Sequence, residues 1–311
     1  MGPKDNFLTI LMPVFNGKKY IRDAIESILN QKYSDFEFLI IDDGSSDDSI
    51  DIVKSYKDAR IILIENSENL GEAKTMNIGL KMATGKFIAV MHQDDVCLDN
   101  RLEEQVAFLK KNTKVAFLSS WVEIIDKDDR LIDQIFPSVN KTEIVNLFAV
   151  GDQTPFPHSS VMYDRRCVME VGGYPEDIKY NGDAFLFLKM IQKAPFAVLP
   201  TKLVQIRHHQ DQASNYLYSI NNTIRVHETI LFYENAKKVL DLSRETLTVI
   251  NKRLNEKRIL LILVESSSFY SGFKKLIHLF INMPASTTIY LFKFLYSSKI
   301  RHFKLILAIW R

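Results

Sequence analysis

The sequence predicts an α/β fold: a mainly parallel sheet flanked by helices, followed by a helical C-terminal region. Two observations carry this. Short, nearly continuous apolar runs alternate with amphipathic stretches through the first hundred residues, the pattern of a parallel sheet covered on both faces. The loops that follow these runs gather carboxylates and turn residues, as expected where ligands bind at the carboxyl ends of parallel strands.

Leu8 to Met12 reads as a buried strand, stopped by Pro13 and the Asn16-Gly17 pair. Tyr20, Ile21, Ala24, Ile25, Ile28 and Leu29 then follow helical spacing. Phe36 to Ile41 is a second strand, broken only by Glu37, and Asp42-Asp43-Gly44-Ser45-Ser46 makes a turn before a helix from Ile50 to Tyr56. Ile61 to Ile64 is a third strand, a helix runs from about Ala73 to Met82, and Phe87 to Met91 is a fourth strand. A helix is expected over Leu98 to Lys110. Val115 to Ile135 has the alternation of an antiparallel pair turning at Asp126 to Arg130, and Gly151 to Ser160 reads as an ordered loop. Beyond about Tyr216 long helical stretches with few glycines take over. The predicted domains are therefore residues 1–215 and 216–311.

The 311 residues suffice for one large domain with an appendage or for two modest domains. A hydrophobic share of 46% and a charged share of 25% are those of a soluble globular chain. The net charge of +2 argues against a broad basic face for nucleic acid. It conceals an asymmetry. From Ser266 to Arg311 there is no Asp or Glu, while seven Lys and Arg side chains fall there; removing those seven leaves −5 for the rest. This basic, aromatic-rich tail suits either an anionic membrane face or packing on the catalytic domain or another copy of the chain, so a peripheral membrane contact and a homo-oligomer are both expectations. Its longest stretch free of Lys and Arg, Leu276 to Phe292, is interrupted by polar residues and too short to span a bilayer. Met1 to Asn6 is polar and unlike a secretory leader, and two cysteines are too few for a disulfide framework. The expected address is the cytoplasm or its membrane face.

Three strand ends draw attention to chemistry: Phe15-Asn16, Asp42-Asp43 and His92-Gln93-Asp94-Asp95. Asp94-Asp95, just past a buried strand, suit a hard divalent cation or equally a helix cap, while Asp42-Asp43 could accept from a base N–H or ribose hydroxyl or simply form a strand-to-helix turn. Lys74 could neutralise phosphate or simply stand solvated on a helix. Neutral His209 in Arg207-His208-His209 could ligate a metal, or lie on a polar surface loop.

Met12-Pro13-Val14-Phe15-Asn16, Ser27-Ile28-Leu29-Asn30-Gln31, Ile41-Asp42-Asp43-Gly44-Ser45-Ser46-Asp47, Asn69-Leu70-Gly71 and Met91-His92-Gln93-Asp94-Asp95 occur in this order. The series resembles the nucleotide-binding half of glycosyltransferase family 2, with its GT-A (Rossmann-like) fold. The similarity continues through Pro157-His158-Ser159-Ser160-Val161-Met162 and Gly172-Gly173-Tyr174 to Arg207-His208-His209, ending near Ser214.

The resemblance implies an inverting transfer from a nucleotide-diphosphate sugar, UDP-linked by preference, to a saccharide or lipid-linked saccharide acceptor. It implies that Pro13, Phe15, Asp42, Asp43 and Gln93 lie in the nucleotide site, with Phe15 stacking on the base and Asp43 pairing with it. His92, Gln93 and Asp94 stand where the family has its Asp-x-Asp metal motif, so Asp94 is the implied ligand of Mn2+ or Mg2+. His92 and Asp95 fall beside it, and His209 matches a histidine that reaches the metal or diphosphate. His158 falls near the acceptor side. Asp183 matches the catalytic base, with Gly182 replacing the family's usual Glu. His92 and Gly182 are the two departures, and they motivate the alternative of a member that binds a nucleotide-sugar or partner without turnover.

Overall fold

The computed structural model describes residues 7–150, 154–179, 181–212, 223–240 and 242–265. The chain divides into two compact units, residues 1–219 with 238–240 and residues 220–237 with 241–311. The first is built on one nine-stranded sheet.

Strand β1 (Leu8–Val14) lies at the centre, paired in parallel with β2 (Glu37–Asp42) and β4 (Phe87–Val90), and β2 carries β3 (Ile61–Glu65) at the edge. All of these are parallel, and β1, β2 and β4 are buried almost throughout, which is why they read as unbroken apolar runs. Pro13 is tolerated in a central strand because β4 pairs only as far as Leu11, so no ladder bond is lost on that side.

Beyond β4 the sheet becomes mixed. A two-residue strand, β5 (Val96–Cys97), is antiparallel to the long β9 (Phe196–Arg207). β6 (Phe117–Ile125) pairs in parallel with β9, and antiparallel with both β7 (Leu131–Ile135) and β8 (Met162–Asp164). β8 in turn is antiparallel to β4. Followed through these pairings, β1, β2, β3, β4, β6 and β9 share one direction and β5, β7 and β8 oppose it. The sheet is thus mainly parallel. The β6–β7 hairpin turns at Asp126–Arg130, with Asp129 left-handed at φ 64° and Asp126 Oδ1 accepting from the Asp128 and Arg130 amides.

The covering helices follow the predicted spacing. Helix α1 (Ile21–Leu29) buries Ile21, Ala24, Ile25 and Ile28, one face at i, i+3, i+4, i+7. Helices α2 (Ser49–Ser55), α3 (Glu72–Met82) and α4 (Arg101–Lys111) complete the first half. In α3, Gly79 lets the helix lie directly on the sheet, since a Cβ there would stand 2.3 Å from Leu11 Cδ1. Helix α4 starts at Arg101 rather than at the predicted Leu98, because Val96 and Cys97 pair with β9 and the Leu98 amide bonds to the Leu203 carbonyl.

Helix α5 (Lys141–Val150) was not anticipated; Asn140 Oδ1 caps it by accepting from the Thr142 and Glu143 amides. Helices α6 (Arg165–Glu170) and α7 (Gly182–Lys193) close the first unit. Of the predicted loop Gly151 to Ser160, the described part from Thr154 contains a 3-10 turn at His158–Ser160.

In the second unit, helix α8 (Thr223–Val239), which belongs to it as far as Lys237, and helix α9 (Arg244–Glu265) are joined by a Glu234–Arg258 ion pair at 2.8 Å and a Lys237–Asn251 hydrogen bond at 2.7 Å. The basic tail over 266–311, with the membrane and oligomer expectations attached to it, lies outside the described residues. Among the described residues no helix is long and apolar enough to cross a membrane.

Candidate active site

The loops leaving β1, β2, β3 and β4 converge at one end of the sheet. Because β8 begins at Met162 beside Ala89 near the end of β4, the turn before it arrives at the same end.

The first two loops are tied together. Asn16 is left-handed at φ 50°; its amide donates to Ser45 Oγ at 2.9 Å, and its Oδ1 accepts from the Ser46 amide at 2.8 Å. Gln93 closes the third side, accepting from the Phe15 amide at 2.9 Å and donating to the Phe15 carbonyl at 3.0 Å. The predicted nucleotide-site residue Gln93 thus holds the backbone on which Phe15 stands, and the Phe15 ring itself is 44% exposed.

Asp42 and Asp43 are buried and turned inward. Asp42 Oδ2 accepts from the Gly44 and Ser45 amides at 3.1 and 2.9 Å. Asp43 Oδ1 accepts from Asn66 Nδ2 and the Leu70 amide at 2.9 and 2.8 Å, and its Oδ2 from the Gly71 amide at 2.9 Å. The pair fixes the β2 loop and ties it to the segment between β3 and α3.

Asp94 and His209 meet, although 115 residues separate them: Asp94 Oδ2 lies 2.9 Å from His209 Nε2. Tyr20 stacks against the His209 ring at 4.8 Å, and buried Arg207 packs on Tyr20 while donating to the Asp94 carbonyl at 3.0 Å. Asp95 is different. Its Oδ1 accepts from the Arg207 amide and its Oδ2 from the Ser159 hydroxyl, so both oxygens are engaged. Burial and the Asp94 charge push its carboxyl up to about 6.

A third cluster joins residues from three elements. His92 Nε2 lies 3.1 Å from His158 Nδ1 and 3.4 Å from Glu72 Oε1, and His158 Nε2 meets the Tyr174 hydroxyl at 2.7 Å. Burial opposes charge on His92, but the hydrogen bond and charge of Glu72, with Asp95 and Asp94, outweigh it and lift His92 to about 9. Glu72 is half exposed at the cleft; what burial it has resists its ionisation, and the His92 bond and charge hold its carboxyl down at about 2. Burial first, then the His92 charge, push His158 down to about 3.

Asp183 sits in the first turn of α7, one residue inside Gly182; the cap position belongs to Asn181. Burial and the nearby Glu72 charge raise its carboxyl to about 6. A Cβ at Gly182 would meet nothing within 4 Å, so the space of the family's usual Glu is open.

Lys74 is not brought to these groups. Two residues after Glu72 on α3, it is turned about 200° away and is exposed. Glu72 was missed in the sequence. Its one signal is an acidic residue straight after Asn69-Leu70-Gly71, where the loop from the third strand enters the next helix.

Residues 9–171 match the profile described as Glycosyl transferase family 2, more than half of the chain. This chain belongs to glycosyltransferase family 2. The transferase is 36% identical over 188 residues to an uncharacterized glycosyltransferase of Methanocaldococcus jannaschii, covering 59% of this chain and 64% of that relative. It is 37% identical over 124 residues to WfgD of Escherichia coli, a UDP-Glc:alpha-D-GlcNAc-diphosphoundecaprenol beta-1,3-glucosyltransferase, covering 40% of this chain and 49% of WfgD. Both matches span less than two thirds of the relative's own length. Among solved structures, S. aureus TarS residues 1–349 in complex with UDP-GlcNAc superposes with a TM-score of 0.60 at 18% identity, over 93% of this chain and 80% of that one. That likeness confirms the fold as GT-A.

Proposed function

We propose that this glycosyltransferase moves a sugar from a UDP-linked donor to a hydroxyl of a saccharide or lipid-linked saccharide acceptor, with inversion at the anomeric carbon. The single observation behind the reading is Asp183 on the first turn of α7, set among the Glu72 and His92 charges, with His92 in turn beside Asp94 of the Asp94–His209 pair.

Asp94 and His209 fit a divalent cation. They place a hard oxygen and an imidazole nitrogen side by side, while Asp95 has both oxygens engaged within the protein. An oxygen-plus-nitrogen pair suits Mn2+ better than Mg2+, which prefers oxygen and water. Bound there, such an ion supplies positive charge beside the departing diphosphate.

The remaining work belongs to the chain. Phe15 offers its exposed ring as a platform for the nucleobase. Asp42 and Asp43 support that platform by holding the β2 loop. Asp183 accepts the proton of the acceptor hydroxyl as its oxygen bonds to the anomeric carbon; the bond from that carbon to the diphosphate oxygen breaks, and UDP leaves with the electron pair. A carboxyl near 6 is ionised at neutral pH yet more basic than an ordinary Asp, as a general base requires. WfgD, acting on a diphosphoundecaprenol-linked sugar, supports testing lipid-linked acceptors first.

The reading is tested by calorimetry of UDP-sugars with and without Mn2+, on the wild type and Asp94→Ala. Manganese-dependent binding of one donor, lost in the variant, is the expected result. Absence of any nucleotide-sugar binding overturns it. Binding without transfer to any acceptor, with UDP-sugar left intact, would favour the non-transferring alternative that His92 and Gly182 motivate.

A further inference from the structure

We propose that Glu72, His92 and His158 form a second metal site, for Zn2+ or a similar late first-row ion, beside the Asp94–His209 pair and sharing none of its ligands. It goes beyond the transfer reaction and does not depend on it.

The geometry argues for it. The three donor atoms, Glu72 Oε1, His92 Nε2 and His158 Nδ1, form a triangle with sides of 3.1, 3.4 and 3.6 Å. A tetrahedral ion held by nitrogen and oxygen at about 2.0–2.2 Å places its ligands about 3.3–3.6 Å apart. The triangle therefore matches one face of such a tetrahedron with little movement, the ion replacing the proton that His92 Nε2 holds towards Glu72 and releasing it to solvent. Two imidazoles with one carboxylate favour Zn2+, Co2+ or Ni2+ over Mg2+ or Ca2+.

The groups behind the ligands match as well. Metal-bound histidines generally engage their other ring nitrogen with an oxygen, which fixes the tautomer and the ring. His158 Nε2 meets the Tyr174 hydroxyl at 2.7 Å, and Tyr174 is held in turn by the Tyr163 hydroxyl at 2.9 Å. With Nε2–H donating to Tyr174, the Nδ1 lone pair turns to the cluster. His92 Nδ1 lies 3.8 Å from Asp95 Oδ2, beyond hydrogen-bond reach, so the supporting contact is the one on His158. The ligands come from the start of α3, the end of β4 and the 3-10 turn, three elements braced by the sheet. On the open side Glu72 is half exposed, so solvent reaches a fourth coordination position, as in zinc sites with three protein ligands and a water.

Cobalt tests this without any activity measurement. The 311-residue chain is titrated with Co2+ and followed by visible absorption, where four-coordinate Co2+ is intensely coloured and six-coordinate Co2+ only weakly. The expected result is one equivalent of intense colour, displaced by Zn2+ and retained in Asp94→Asn. Tyr174→Phe should weaken Co2+ roughly 10–100-fold, as loss of a supporting partner does. Glu72→Gln and His158→Asn should lose more than that. Glu72→Gln is the decisive variant because its side chain is half exposed and its fold is readily checked by circular dichroism. Absence of the intense bands in the wild type overturns the site, as do bands unchanged in Glu72→Gln or abolished in Asp94→Asn. Since the donor is never added, failure here leaves the transferase reading untouched, and the reverse holds too.

Discussion

Asp43→Asn separates a carboxylate that reads the nucleotide from one that builds the loop. The substitution keeps size and shape but leaves one oxygen where three donors converge: Asn66 Nδ2, the Leu70 amide and the Gly71 amide. In its better orientation the amide retains two of these bonds as weaker neutral ones and turns its own NH2 against the third donor. A hydrogen bond to a charged acceptor is worth about 1.5–3 kcal/mol and a neutral one about 0.5–1.5 kcal/mol. One bond lost and two weakened come to about 3 kcal/mol, taking the low end because the donors are only part-buried. For a domain of this size that is a fall in Tm of about 6–12 °C. Differential scanning calorimetry, with and without UDP, measures it. The reasoning is refuted if Asp43→Asn melts with the wild type while its UDP affinity collapses, for then the carboxylate serves the base and not the loop.

The remaining predictions concern α7. Turnover should rise with pH and level off above about 6, falling near tenfold per unit below it, because Asp183 must be ionised to take the acceptor proton and burial with the Glu72 charge holds it at about 6. Asp183→Asn should keep donor affinity and lower kcat by about 10²–10⁴-fold; wild-type rates at pH 4.5 equal to those at pH 7.5 would exclude this base. The same shift predicts a stability effect. The folded carboxyl is raised above its unfolded value, so its stabilising contribution is present at low pH and is lost as pH rises through about 6. Asp183→Asn should therefore melt higher than the wild type at pH 8 and close to it at pH 4. Gly182→Glu has open space to enter and sits at the first position of a helix; better helix propensity and a negative charge at the N-terminus should stabilise by about 1 kcal/mol in urea denaturation.

Much of this architecture is local. The alternation of apolar runs and amphipathic stretches placed β1 to β4 and the helices between them, because burial on both faces leaves no polar position in a parallel strand. The hairpin at Asp126–Arg130 was legible for a similar reason: turn residues between alternating strands leave few other solutions. Helix α5 was not, since its apolar spacing is weak and its cap, Asn140, follows a polar stretch that reads equally well as loop. The start of α4 was misplaced because β5, a two-residue strand, exists only through its pairing with β9 more than a hundred residues on.

The chain's residues by themselves determined the succession of strands and helices in the nucleotide-binding half, the family, and which loops carry carboxylates. They did not determine what each carboxylate does. Asp42, Asp43, Asp94 and Asp95 look alike in sequence, yet Asp43 and Asp95 have both oxygens engaged within the protein while Asp94 faces His209. Likewise nothing local joins Glu72 to His92 and His158. A carboxylate's role depends on which donors the fold places within about 3 Å of it, and those donors come from loops that meet only when the sheet assembles.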